Sequence, residues 1–111
     1  MSDDLKTETI RRLNDTFRRT FAGGKVVMTH GVNLLDPEEK VAIMRKVRLF
    51  DDFKEVNDPY NEHDFGAFEH DGEKFFWKID YYDKSLENGS EDPSNRKITE
   101  RVMTVMFANE Y

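Results

Sequence analysis

The stretch EHDFGAFEHDGEKFFWKIDYYD, from Glu62 to Asp83, concentrates the side chains that could do chemistry. Asp71-Gly72, set between two aromatic-rich runs, is the dipeptide that favours a two-residue hairpin turn. With that turn, Glu69 faces Lys74, Phe68 faces Phe75, Gly66 faces Trp77, Phe65 faces Lys78, and His63 faces Asp80. A carboxylate that orients an imidazole sets up a general base, and Lys78 or Tyr82 could supply an electrophile or proton donor. His63, Asp80 and Lys78 are therefore the catalytic candidates. A cross-strand His–Asp pair is also ordinary sheet stabilisation, however. No Ser or Thr is placed by the sequence as a nucleophile, Cys is absent, and no Gly-rich phosphate loop occurs. The enzymatic reading is the second choice.

Metal chemistry has a similar standing. Glu62, His63, Asp64, Asp80 and Asp83 offer mixed imidazole and carboxylate ligands of the kind that bind divalent ions. Successive side chains on a strand point to opposite faces, so Glu62, His63 and Asp64 cannot converge. Calcium-loop spacing is missing as well. The expectation is no metal and no cofactor.

Charge layout carries the leading reading. From Asp51 to Asp92 there are 14 acidic residues against 4 Lys, a local charge of −10; the remainder has 13 basic against 9 acidic, or +4. Asp51, Asp52, Glu55, Asp58, Glu62, Asp64, Asp83, Glu87, Glu91 and Asp92 span the hairpin and its flanking loops, and Tyr60, Tyr81 and Tyr82 add aromatic anchors of the kind interfaces favour. Such a block can occupy a basic nucleic-acid channel, where complementary charge speeds encounter. It equally serves solubility. The partner expected is a protein with a basic surface, and direct nucleic-acid binding is not expected, because the block repels phosphate.

The elements that must position these residues follow from periodicity. Ile10, Leu13, Phe17 and Phe21 form one helical stripe, with Ser2 or Asp3 as cap, Gly23-Gly24 as stop, and Arg11, Arg12, Arg18 and Arg19 as a solvated basic flank. GKVVMTHGV, from Gly24 to Val32, reads as a strand. In DPEEKVAIMRKVRLFDDF, Asp36 caps a second helix with Pro37 at its first position. Its buried stripe is Val41, Met44 and Val47 with Phe50 or Leu49. KSLENGSEDPSNRK, from Lys84 to Lys97, is a long loop. The run ITERVMTVMFANEY fits a helix or a strand, and a strand is favoured because a lone hairpin plus one strand makes a thin sheet.

The expected whole is one α+β domain over residues 1–111, with a small antiparallel sheet of about four strands, a central hairpin, and two helices on one face. No apolar run approaches membrane-spanning length. The start MSDDLKTETIRR is unlike a signal peptide, so the expected compartment is the cytoplasm.

The motifs NDPYNEHDFGAF, FWKIDYYD, GSEDPS and RVMTVMFANEY closely resemble an uncharacterised bacterial family, carried as a domain of unknown function. The resemblance extends over nearly the whole chain, from LNDTFRRTF and GGKVVMTHGV to Tyr111. It implies a setting in alphaproteobacteria, often on plasmids and other mobile elements, among small accessory and anti-restriction genes. Combined with the acidic block, it points to a non-enzymatic binding protein that inhibits a restriction or CRISPR complex.

Overall fold

The computed structural model describes residues 2–111, with side chains from Asp4 onward. The caps expected at Ser2 or Asp3 fall on side chains outside that set. In chain order the elements are α1 (Ser2–Thr20), β1 (Gly24–Met28), α2 (His30–Asn33), α3 (Pro37–Arg48), β2 (Phe65–His70), β3 (Glu73–Tyr82), β4 (Glu100–Phe107) and a 3-10 turn (Ala108–Glu110). The α+β class and the four strands are as expected. Strand order is β1-β4-β3-β2, and β1 runs parallel to β4 while the other pairs are antiparallel. The sheet is thus mixed, and the hairpin contributes one interior strand and one edge. Ten-residue β3 is long enough to pair on both sides, whereas β2 has only β3.

Alternation along the strands sends Phe75, Trp77, Ile79, Met103 and Val105 to one face, where Phe17 of α1, Val32 of α2, and Ile43, Val47 and Phe50 of the α3 segment cover them. Trp77 lies directly over Gly66, as their Cα pairing requires. A Cβ on Gly66 would collide with Trp77 Nε1 and come within 2.8 Å of Phe50. The missing side chain is the space the indole fills.

Four expected details differ. The strand expected over Gly24–Val32 ends at Met28, and Val32 is fully buried on α2 instead. On α3 the buried residues are Ile43 and Val47 rather than Val41, which is exposed, as is Leu49. The helix has apolar residues on more than one side, and packing selects the pair spaced i, i+4 that continues to Phe50. Asp36 occupies the N-cap position with Pro37 after it, yet its side chain makes no capping hydrogen bond. On α1, Arg18 is 1% exposed and Asn14 is fully buried, so the basic flank comprises Arg11, Arg12 and Arg19 only.

Glu110 ties the end of the sheet together. Its Oε1 accepts from Thr29 Oγ1 at 2.5 Å and from the Phe107 amide at 3.0 Å, and its Oε2 accepts from the Gly31 amide at 2.8 Å.

Candidate functional site

The hairpin pairing holds from His70 back to Phe65 and stops there. Beyond it Ile79 donates its amide to Asp64 O at 2.8 Å, and Asn61 and His63 adopt left-handed backbone angles, φ 58° and 56°. Those angles end the extended run and turn the chain toward α1. His63 therefore does not meet Asp80. Asp80 pairs instead with Lys78 at 3.0 Å on the face of the sheet opposite Trp77, and that contact holds the Lys78 ammonium above its ordinary range.

His63 is held by residues from three directions. Its ring stacks on Phe53 with centroids 3.7 Å apart and planes within 4°. Nδ1 lies 2.8 Å from Asp15 Oδ1, which also accepts from Arg18 Nη1 at 2.8 Å. Burial pushes the Asp15 carboxyl up, but the hydrogen bonds from Arg18 and His63 outweigh it and hold the group below its usual range. An ionised carboxylate only accepts, so Nδ1 carries the proton it donates. Nε2 then faces Asp58 Oδ2 at 3.7 Å, while Asp58 Oδ1 accepts the amides of Glu62 and His63 at 3.1 and 3.2 Å. Phe53, Lys54, Glu55, Asp58, Pro59, Asn61 and His63 enclose a cavity of about 360 Å³. Its walls offer one amine and no hydroxyl or thiol. The arrangement can move a proton, and it holds no hydroxyl or thiol for that proton transfer to activate.

Beside it a polar cluster pins the acidic loops to the sheet. Asn14 Nδ2 donates to Glu62 O at 3.0 Å and to the Tyr81 hydroxyl at 2.8 Å, and Tyr81 donates to Glu62 Oε1 at 2.8 Å. Arg101 Nε donates to Asn14 Oδ1 and Nη2 to Pro93 O, both at 2.7 Å. Arg18 sits over the Phe53 and Trp77 rings at 5.1 and 5.5 Å. Burial pulls the Arg101 guanidinium down and pushes the Tyr81 phenol up. Asn14, Asp15, Phe53 and Arg101 carry no mark of chemistry in the sequence pattern, and Arg18, expected on a solvated flank, is buried instead. A polar residue inside an apolar stripe, as Asn14 is between Ile10 and Phe17, is the signal that was there to be used.

The acidic residues divide by role. Asp58 is buried, and Tyr81 and Glu62 are engaged in the cluster, so none of the three is a free surface anchor. Asp83 Oδ1 accepts from Ser85 Oγ at 2.7 Å and from the Glu87 amide at 3.2 Å. Asp92 Oδ1 accepts from Ser94 Oγ at 2.6 Å. These two carboxylates shape the 84–97 loop, and their hydrogen bonds, from Ser85 and Ser94 first, lower both carboxyls. Asp51, Asp52, Glu55, Tyr60, Glu87 and Glu91 are exposed, while Tyr82 is half-buried. Asp64 is pushed up to about 6, by burial first and then by Glu62, Asp58 and Asp80.

Among the described residues one group could present three donor atoms to an ion: Glu39, His70 and Asp71, at the hairpin tip. There His70 Nε2 meets Glu39 Oε2 at 2.6 Å, a contact that already joins β2 to the first turn of α3. The ligand set weighed from the sequence around His63 is not among such groups.

No helix of the described residues is long and apolar enough to cross a membrane. A family profile described as "Protein of unknown function (DUF3768)" matches residues 28–110. No curated protein and no solved structure matches the chain.

Proposed function

The chain belongs to the DUF3768 family of proteins of unknown function, and from that premise we propose that it is a non-enzymatic acidic docking protein for a basic, nucleic-acid-binding protein surface. The observation that carries this reading is the set of exposed carboxylates on the two loops that flank the hairpin, with Asp52 on one and Glu87 and Glu91 on the other. After burial, the causes that raise the Asp64 carboxyl are its neighbours Glu62, Asp58 and Asp80, with no cation among them. Exposed carboxylates of one sign draw a partner of the opposite sign to this end of the molecule. The exposed carboxylates of Asp52, Glu87 and Glu91 spread this negative field over both flanking loops. Tyr60, 79% exposed, supplies an aromatic anchor. The mobile-element setting that the resemblance implies makes a restriction or CRISPR effector the target class.

The test adds the purified protein to such an effector complex and follows DNA binding by mobility shift. DNA binding should fall as the protein is added, and the effect should fade toward 1 M salt, where the Debye length is about 3 Å. Changing Asp52, Glu87 and Glu91 to Lys should remove the effect while the fold survives. Tight DNA binding by the protein alone, lost on neutralising Arg11, Arg12 and Arg19, would overturn the proposal.

One observation favours a second reading, a small proton-transfer enzyme. Asp15 takes the Nδ1 proton of His63, which leaves Nε2 on the side of Asp58 and the cavity. In this reading the orienting carboxylate is Asp15 and not Asp80. Asp15→Asn should weaken the hydrogen-bonded Nδ1–H signal of His63 followed by NMR, and Asp80→Asn should leave it in place.

A further inference from the structure

Helix α3 carries apolar side chains on its outer side that the core does not use. Val41 is 69% exposed and Leu49 is 66% exposed. With Met44 and Met28 of β1 they line a groove of about 530 Å³ whose remaining walls are Lys40, Arg45 and Arg48. Lys40 is tied to Asn33 O at 3.1 Å, but Arg45 and Arg48 make no ion pair among the described residues. A greasy strip between unpaired guanidinium groups is unusual on a chain of net charge −6. It calls for a partner that brings both apolar contact and carboxylates.

The same chain offers such a surface next door. Asp51 follows Leu49 by two residues and opens a loop that carries Asp51, Asp52 and Glu55 around Val56, which is 88% exposed. Asp51 and Glu55 make no ion pair among the described residues, and Asp52 reaches only Lys54, at 3.3 Å. A basic-apolar groove and an acidic-apolar loop thus follow one another directly in the chain, joined through Leu49 and Phe50.

We propose that the occupant of the α3 groove is a second copy of this chain, related by a two-fold axis. The Arg45, Arg48 and Leu49 patch of each copy then meets the Asp51, Glu55 and Val56 loop of the other. A two-fold axis places a patch against itself, so a surface with complementary halves satisfies both at once, and closed dimers of this type are the commonest assemblies. Apolar contact at the centre gives affinity, and the flanking charges fix the register. The proposal goes beyond the docking function. It is measured with no other protein present, so either can fail while the other stands.

The experiment is sedimentation velocity on the whole chain over about a hundredfold concentration range, at low and at high salt. A concentration-dependent dimer is expected, weaker by about tenfold or more at high salt. Leu49→Asp should give monomer at every concentration. Two charge-reversed chains make the decisive comparison: Arg45→Glu with Arg48→Glu, and Asp51→Arg with Glu55→Arg. Each alone should be monomeric, since each sets like charges together, and an equimolar mixture should form a one-to-one dimer. Circular dichroism of each variant reports that it is folded, and restored pairing in the mixture excludes misfolding as the cause. A wild-type chain that stays monomeric at low salt would overturn the proposal. So would a dimer indifferent to Leu49→Asp, or a mixture that fails to pair.

Discussion

Asn14 has no apolar substitute that keeps its contacts. It is fully buried, donates twice through Nδ2, and accepts from Arg101 Nε. Asn14→Leu would leave Arg101 Nε and Glu62 O without this partner and take one of its two bonds from the Tyr81 hydroxyl, and such orphaned groups each cost about 1–3 kcal/mol, more when charged. Urea unfolding at neutral pH should show a loss of about 3 kcal/mol or more, because several partners are left unpaired together. Asp64 behaves in the opposite sense. Its folded carboxyl, at about 6, lies above the ordinary 3.8, so the folded chain holds the extra proton between those values. Stability from this group is present below about 3.8 and declines as pH rises through about 6. Asp64→Asn removes that decline: the variant should melt higher than wild type at pH 8 and close to it at pH 4. Equal melting differences at both pH values would show that Asp64 is not carrying the repulsion.

At the scale of elements, the legible parts were those in which cause and effect are close in sequence. Asp71-Gly72 sets the β2–β3 register, and the pairs Glu69–Lys74, Phe68–Phe75, Gly66–Trp77 and Phe65–Lys78 all follow from it. Extending that register to His63 failed because backbone turns at Asn61 and His63 break the ladder. Asn57-Asp58-Pro59 announces a turn but not that it reaches His63, and the residue that captures the imidazole lies 48 positions away. Choosing Val41 for the core of α3 failed for a related reason: the helix has two apolar sides, and only tertiary packing decides between them. The hairpin's glycine gives a direct check. Gly66→Ala drives a methyl into Trp77 and Phe50, and overpacking of this kind costs about 1–3 kcal/mol. Trp77→Ala, which leaves a void at a fully buried position, should cost about 3–5 kcal/mol. If the indole truly occupies the Gly66 space, the double variant should lose less than the sum of the single losses.

For the molecule as a whole, charge asymmetry was visible in composition, but its division into exposed and engaged carboxylates was not. Asp83, Asp92 and Glu110 look alike in sequence to Asp51 or Glu87, yet each is an acceptor that closes a loop or a sheet end. Glu110 is the one with the longest reach. The Thr29 hydroxyl first, with the Phe107 and Gly31 amides, holds its carboxyl below the ordinary value of 4.5. Its contribution is therefore present above that value and lost as pH falls through the lower, folded one. Glu110→Gln should lower the melting temperature at pH 7 and converge on wild type in acid. The strand order that Glu110 secures also has a bearing on synthesis. β1 has a single neighbour in the sheet, β4, and that neighbour begins at Glu100. A ribosome working at about 5–20 residues per second delivers the two strands several seconds apart. Throughout that interval Val26 and Val27 have no strand to pair with, and the apolar side of α1 has no complete sheet to lie on. The sheet cannot close until β4 has cleared the exit tunnel, so β1 waits unpaired while the whole stretch between the two strands is made.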